Sequence, residues 1–167
     1  LTTAQIQALT SPQAQSFASH QLRALLTSQL RALNTTNLAS LSTSQAASLT
    51  TDQVSFLASS QIAALTTDQT SALVTNRINA LFTSQVAALT SDQVATLRPD
   101  QITALDSKVA ALETGDFVTL NPAQILALTT SQSRVLTTAQ IQALTSPQAQ
   151  SFASHQLRAL LTSQLRA

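Results

Sequence analysis

The chain has 167 residues, of which 44% are hydrophobic and 9% charged, with no cysteine and a formal net charge of +1. This composition excludes a charge-rich disordered segment, a disulfide framework and a thiolate metal site, and no apolar run is long enough to predict membrane insertion. Residues 1–135 carry six basic and seven acidic side chains. The chain therefore lacks the basic character expected of a protein with a nucleic-acid partner.

Two periods organise the sequence. From Leu1 onward it is one octapeptide repeated, with a single seven-residue unit at residues 105–111. Above the octads lies a period of 135 residues, because residues 136–167 copy residues 1–32 letter for letter. We therefore expect one continuous octad-repeat solenoid over residues 1–167, in which 1–135 is one long repeat unit and 136–167 starts the next.

Each octad follows the pattern L-T-[ST]-x-Q-[IVLA]-x-A, and position 1 is Leu in every unit except those that begin at Phe17 and Phe152. Ser or Thr at positions 2 and 3 is typical of helix caps, and Gln at position 5 completes a capping box with position 2. The four prolines lie at positions 3 and 4, where the first turn of a helix tolerates them. We expect one short helix per octad, with positions 1 and 6 in the core and glutamines spaced to permit amide ladders.

Two other folds compete with this solenoid of short helices. In one continuous helix the leucines would advance by about 80° per octad and form no stable seam. A β-solenoid is the stronger alternative, because the repeat is short and rich in threonine. However, positions 1 and 6 differ in parity and would point to opposite faces of a strand. The sequence therefore favours an all-α solenoid.

In the first four octads, Leu26 occupies position 2, where a cap is expected, while Arg23 and Arg31 occupy position 7 near the end of a short helix. His20 stands alone at position 4. We interpret it as a surface residue, because no cysteine or fixed carboxylate accompanies it to form a metal or catalytic site.

The middle octads, residues 33–104, add acidic side chains at position 4, including Asp92 and Asp100, and apolar residues at position 2, Val74 and Phe82. Acids at helix starts and arginines at helix ends favour the helix dipole. Alternatively, they form an acidic and a basic edge that pair between copies. If position 2 is exposed, its apolar residues form a self-association patch; if it points inward, they belong to the core. The candidate self-association residues are Leu26, Val74, Phe82, Asp92, Asp100, Arg23 and Arg31.

The irregular segment covers residues 105–117. Its seven-residue unit, LDSKVAA, lacks the glutamine, and the next unit contains the only glycine, Gly115, and places Asp116 at the glutamine position. Asp106 as a cap and Gly115 as a stop predict one longer helix over about residues 107–114. The segment is either a tolerated deletion or a hinge that kinks the coil, with Asp106, Lys108, Gly115 and Asp116 as candidate hinge residues.

The strings LTTDQVSFL, ASSQIAALTTDQ and FTSQVAALTSDQVATL resemble the Leu/Thr/Gln/Ala-rich short-repeat arrays of very large bacterial surface and secreted, adhesin-like proteins. The resemblance implies an exported structural protein at the cell surface or outside the cell. The sequence lacks an N-terminal Met and a leader, so we expect it to be a piece of a longer protein.

These patterns predict a structural role rather than an enzyme. The sequence contains no phosphate-binding glycine motif, no recurring metal-ligand set and no cofactor motif. We expect the octads to build an extended extracellular filament, fibre or stalk by stacking and self-association, with further copies of the repeat as partners. The alternative is an adhesin-type binding module that recognises a host or matrix ligand.

Overall fold

The computed structural model describes residues 1–165 and folds them into twenty short α-helices and one 3-10 helix, with no strand in that range. The predicted all-α solenoid of short helices is therefore confirmed, and the β-solenoid alternative is wrong for the described residues. Arg166, which the copied octad places at position 7, lies outside that range.

The helical elements form seven successive turns of three. Turn 1 holds α1 (Thr3–Gln7), α2 (Ser11–Gln15) and α3 (Ser19–Arg23). Turn 2 holds α4 (Thr27–Arg31), α5 (Thr35–Ser40) and α6 (Thr43–Ser48), and turn 3 holds α7 (Thr51–Ser55), α8 (Ser59–Ala64) and α9 (Thr67–Ala72). Turn 4 holds α10 (Thr75–Asn79), α11 (Thr83–Val86) and α12 (Ser91–Thr96).

Turn 5 holds α13 (Pro99–Ala104), the 3-10 helix η1 (Asp106–Ala111) and α14 (Thr114–Phe117). Turn 6 holds α15 (Pro122–Leu126), α16 (Thr130–Val135) and α17 (Thr138–Gln142), and turn 7 holds α18 (Ser146–Gln150), α19 (Ser154–Ala159) and α20 (Thr162–Leu165).

Each octad supplies one helical element in the predicted register. Position 2 is the N-cap, as at Thr50, whose side-chain oxygen accepts a hydrogen bond from the Gln53 backbone N–H, while the Gln53 side chain accepts one from the Thr50 N–H. Prolines at Pro99 and Pro122 open their helices, where the missing N–H has no intrahelical partner to lose. The octad is therefore a capped short helix, as its sequence predicts.

Three octads complete one turn, because each helical element packs on the element three places later in the chain. A helix of five or six residues is unstable by itself in water, so its stability must come from the turns on either side. The short stretches between helices form three columns of corners along the stack. Positions 1 and 6 point inward from every side and fill the interior; Leu49, Val54, Leu57 and Ile62 are each 4% exposed or less.

The seven-residue unit does not form the predicted longer helix over residues 107–114, so that prediction is wrong. Leu105 extends α13, the chain turns at Asp106 with a φ of 53°, and η1 follows. A 3-10 helix rises about 2.0 Å per residue against 1.5 Å in an α-helix, so a shorter unit spans a full side. Gly115 does not end a helix as predicted, because it lies inside α14.

Candidate functional site

Buried glutamines at position 5 join each turn to the preceding one. Gln53 lies in the first turn of α7, where its Oε1 accepts the Thr50 backbone N–H at 2.9 Å. Its Nε2 donates to the carbonyl oxygens of Leu22 and Leu25, both at 2.8 Å, at the corner between α3 and α4. One amide therefore caps its own helix and satisfies carbonyls at the end of α3 and in the corner that follows it.

The same connection recurs at nearly every corner from turn 2 onward. Gln93, for example, donates to Ile62 O at 2.9 Å and to Leu65 O at 2.7 Å. In two units that lack the glutamine, another nitrogen at position 5 donates: Asn37 to Leu9 O at 2.6 Å and Arg77 to Leu49 O at 2.7 Å. The other glutamines that form such bonds are Gln29, Gln45, Gln61, Gln69, Gln85, Gln101, Gln124, Gln132, Gln140, Gln148, Gln156 and Gln164.

The role of these glutamines between turns was missed from the sequence, which suggested ladders of amides bonded to one another. The capping box predicts a partner for the glutamine Oε1, but it predicts none for the Nε2 of the same amide. The available signal was that glutamine persists where position 2 cannot cap. Ala58 and Phe82 have no cap oxygen, yet their backbone N–H groups still donate to Gln61 and Gln85.

The two copies of the 32-residue string show which turn covers which residue. Gln5, Gln13 and Gln21 in turn 1 are exposed. Their copies Gln140, Gln148 and Gln156 lie against an earlier turn and are 4% exposed or less. Position 5 is therefore covered by the preceding turn.

Position 6 shows the reverse. Leu22 and Leu30 are fully buried beneath turn 2 and turn 3, whereas their copies Leu157 and Leu165 in turn 7 are 46% and 63% exposed. Position 6 is therefore covered by the following turn. Each turn has two unlike faces, one presenting glutamine donors and the other presenting apolar side chains and carbonyl acceptors.

The apolar candidates at position 2 are exposed, so they lie on the surface and do not belong to the core. Leu26, Val74 and Phe82 are 66%, 42% and 57% exposed. Val74 is the N-cap of α10 and Phe82 the N-cap of α11, so they lie at successive corners rather than in one column. Phe82 lies at the corner between α10 and α11, and the exposed Phe56, which the sequence did not single out, lies at the corner between α7 and α8, one turn earlier in the same column.

The charged candidates are also exposed, but they do not gather at one edge. Arg23 and Arg31 lie on consecutive helices and therefore on different sides of the stack, and so do Asp92 and Asp100. Asp100 pairs with Arg98 at 3.1 Å. The Arg98 hydrogen bond lowers the pKa of the Asp100 carboxyl. Arg98 also donates to the carbonyls of Ser71 and Leu73 in the turn before.

The hinge candidates lie in a turn that is packed on both sides, because η1 contacts α11 of turn 4 and α16 of turn 6. Lys108 Nζ donates to Asn79 O at 2.9 Å, and the Asp106 carbonyl accepts from Gln132 Nε2 at 3.3 Å. Asp116 is buried and accepts the Ser91 hydroxyl at 2.5 Å. Hinge motion at this segment stays a prediction.

Within residues 1–165, no three His, Asp or Glu side chains lie close enough together to hold a metal ion. Over that same range, every helix is too short to cross a membrane.

Comparison with known proteins matches the chain to the ALTTAQ repeat at residues 22–59, 76–107 and 109–146, which together cover more than half of it. No curated protein and no solved structure matches the chain.

Proposed function

Because the chain belongs to the ALTTAQ repeat family, we propose that it is a structural repeat protein whose octads stack and self-associate into an extended extracellular filament, fibre or stalk. The observation that carries this proposal is the column of glutamine bonds at each corner, in which Gln53 and Gln93 each bond to carbonyls 28 and 31 residues earlier in the chain. Such bonds favour elongation, because each added turn satisfies the preceding one.

The packing of the helices supports the same role. Each helical element packs on the elements three places before and after it in the chain, so the chain behaves as a one-dimensional array that lengthens without changing its cross-section. Fully burying a leucine such as Leu22 or Leu30 contributes about 1.5–3 kcal/mol. That stabilisation is repeated with every turn, which suits a rod or a spacer.

Electron microscopy and small-angle X-ray scattering test the proposal. With about 8–10 Å between packed helices, seven turns predict a rod of about 60–70 Å. A chain that contains residues 1–135 twice in tandem has 34 units in place of 21, so it should keep the same width and be about 1.6 times as long. Compact particles, or a width that grows with the number of octads, would contradict the structural role.

An adhesin-type role is the second candidate, and the exposed pair Phe56 and Phe82 on one corner column favours it. A host or matrix ligand would bury these rings along the side of the rod. Saturable binding of the chain to immobilised matrix proteins, lost when both residues are changed to serine and kept in a Leu26→Ser control, would support it. Binding that is unchanged in the Phe56→Ser/Phe82→Ser variant would exclude this surface.

A further inference from the structure

We propose that two copies of the chain pair side by side and antiparallel along one column of corners, with Phe56 of each copy against Phe82 of the other. This phenylalanine column consists of the corners that follow α4, α7, α10 and α13, in turns 2 to 5. The inference rests on the structural role proposed above and names the surface that would carry self-association.

Hydrogen bonds link the phenylalanine column from corner to corner. Each corner accepts a side-chain bond from the helical element that begins at the next corner: Leu33 O from Gln61 at 2.8 Å, Leu57 O from Gln85 at 2.8 Å, and Asn79 O from Lys108 at 2.9 Å. Residues at successive corners are therefore neighbours along the side of the rod, about 8–10 Å apart.

Two exposed aromatic rings lie on adjacent corners of this column. Phe56 is 53% exposed and Phe82 is 57% exposed, and they are the exposed phenylalanines of residues 1–165. Phe56 occupies position 8, where the octad pattern has Ala, and Phe82 occupies position 2, where a cap residue is usual. The Phe82 side chain makes no cap bond to its helix. Two separate departures from the repeat thus bring aromatic side chains together at the surface, as in protein–protein contacts.

The charges on either side of the rings favour a second copy as the partner. Arg31 lies at the corner one turn before Phe56, and Asp106 lies at the corner one turn after Phe82. Both side chains are exposed, and neither forms a hydrogen bond or an ion pair within the described residues 1–165. The phenylalanine column therefore has an unpaired positive charge at one end and an unpaired negative charge at the other.

An antiparallel pair matches all of these groups at once. A two-fold axis midway between turns 3 and 4 places turn 3 of one copy against turn 4 of the other, and turn 2 against turn 5. Phe56 then meets Phe82 of the second copy, and Arg31 meets Asp106 of the second copy, so each contact occurs twice. A parallel pair would instead place Arg31 against Arg31 and Asp106 against Asp106. The charges therefore favour the antiparallel order.

Charge reversal tests this order directly. Arg31→Glu and Asp106→Lys each create like-charge contacts at both ends of a pair. Mixing the two variants restores opposite charges at both ends, because the two substituted positions meet each other and the two unmodified positions meet each other. Phe82→Ser removes a ring and supplies a cap oxygen, so it should fold. The matched controls are Arg23→Glu and Leu26→Ser, at exposed positions 7 and 2 beside a different column of corners.

Sedimentation velocity over a concentration series measures the pairing, with circular dichroism confirming the fold of every variant. We expect the unmodified chain and both controls to form a dimer of twice the monomer mass of 17.6 kDa. Arg31→Glu, Asp106→Lys and Phe82→Ser should each associate about tenfold more weakly or worse. An equimolar mixture of the two charge variants should dimerise as strongly as the unmodified chain.

Three results would overturn the proposal: an unmodified chain that stays monomeric at all concentrations, a mixture of the charge variants that associates no better than either one alone, or a Phe82→Ser chain that dimerises fully. A monomeric chain that binds matrix proteins through Phe82 would assign the column to the adhesin role instead. The structural role is judged separately, by the shape of the monomer. Monomeric rods would contradict lateral pairing alone, and compact particles would contradict the proposed function.

Discussion

At the scale of single residues, the glutamine at position 5 connects two helices through one side-chain amide. Its acceptor oxygen serves its own helix, and its donor nitrogen serves carbonyls in the turn before, as Gln93 does for Ile62 and Leu65. A carboxylate has the same shape and keeps the acceptor, but it cannot donate. The two functions of the amide can therefore be separated by a single isosteric substitution.

Gln93→Glu should lower the free energy of unfolding by about 3 kcal/mol, because it leaves a buried charge facing carbonyl oxygens. Urea denaturation followed by circular dichroism measures the change. The matched control is Gln13→Glu, at the same octad position but with an exposed side chain, for which we expect a change within about 0.5 kcal/mol. Equal effects at both positions would show that the donor bonds contribute nothing.

Asp116 and Asn37 both occupy position 5 of their units, but the Asn37 side chain can donate a hydrogen bond and the Asp116 carboxylate cannot. Ser11 donates to Asn37 Oδ1 at 2.9 Å while Asn37 Nδ2 donates to Leu9 O at 2.6 Å. Ser91 donates in the same way to Asp116, but the carboxylate has no N–H to offer at the place that corresponds to the Asn37 amide. We expect Asp116→Asn to raise the free energy of unfolding by about 1 kcal/mol.

The reciprocal change, Asn37→Asp, should lower the free energy of unfolding by about 1–3 kcal/mol, because it removes a donor from a buried corner. Thermal unfolding of both variants at neutral pH gives the comparison. Shifts of the same sign in the two variants would refute the idea that these corners require a donor.

At the scale of the helical element, the sequence predicts the cap positions and the core positions, but it does not predict the angle between successive helices. Thr50 at position 2 and Pro99 at the first helical position signal where a helix starts, because only certain residues satisfy or lack the free N–H groups there. Leu49 and Val54 mark the buried side through their spacing. These are local signals, and the structure follows them in the octads that they describe.

The angle between successive helices has no local signal, so three octads per turn could not be derived from the sequence. The same holds for the second function of Gln53, whose partners Leu22 and Leu25 lie 31 and 28 residues away. The seven-residue unit was misread because a missing residue was expected to lengthen a helix. Instead the chain turns at Asp106, and the six residues of a 3-10 helix, which rises further per residue, span one side of the solenoid turn.

Asp106 is the residue on which that adjustment depends, since its φ of 53° lies in the left-handed region. Asp106→Val should lower the free energy of unfolding by about 1–2 kcal/mol, because a β-branched side chain is strained in that conformation. Asp106→Asn, which tolerates the region, is the control and should change stability little. Equal melting temperatures for the Asp106→Val and Asp106→Asn variants would show that the backbone conformation at residue 106 causes no strain for a β-branched side chain.

At the scale of the whole molecule, stability should vary along the stack, because a turn with two neighbours is held on both faces and a terminal turn on one. We expect backbone amides in turns 3 to 5 to exchange hydrogen most slowly and those in turns 1 and 7 most quickly. Hydrogen exchange monitored by mass spectrometry resolves the turns. Uniform protection along the chain would indicate a single cooperative unit instead.

An extended chain sharpens that measurement. Residues 33–56 follow residue 32 in the sequence, so appending them after Ala167 supplies turn 7 with the neighbours that its copied octads have in turns 1 and 2. Exchange in turn 7 should then slow by roughly tenfold or more. A glycine and serine extension of equal length is the control and should leave the rate unchanged.

The concentration of hydrogen bonds between turns at three corners also determines how the molecule would respond to tension. Pulling along the stack loads a few side-chain amides per turn, and the loss of one set exposes the next. A released turn of 24 residues would extend by about 80 Å of chain in exchange for about 8–10 Å of stack. A fibre built this way would lengthen in steps of about 70 Å, absorbing work at each step and rewinding when the force falls.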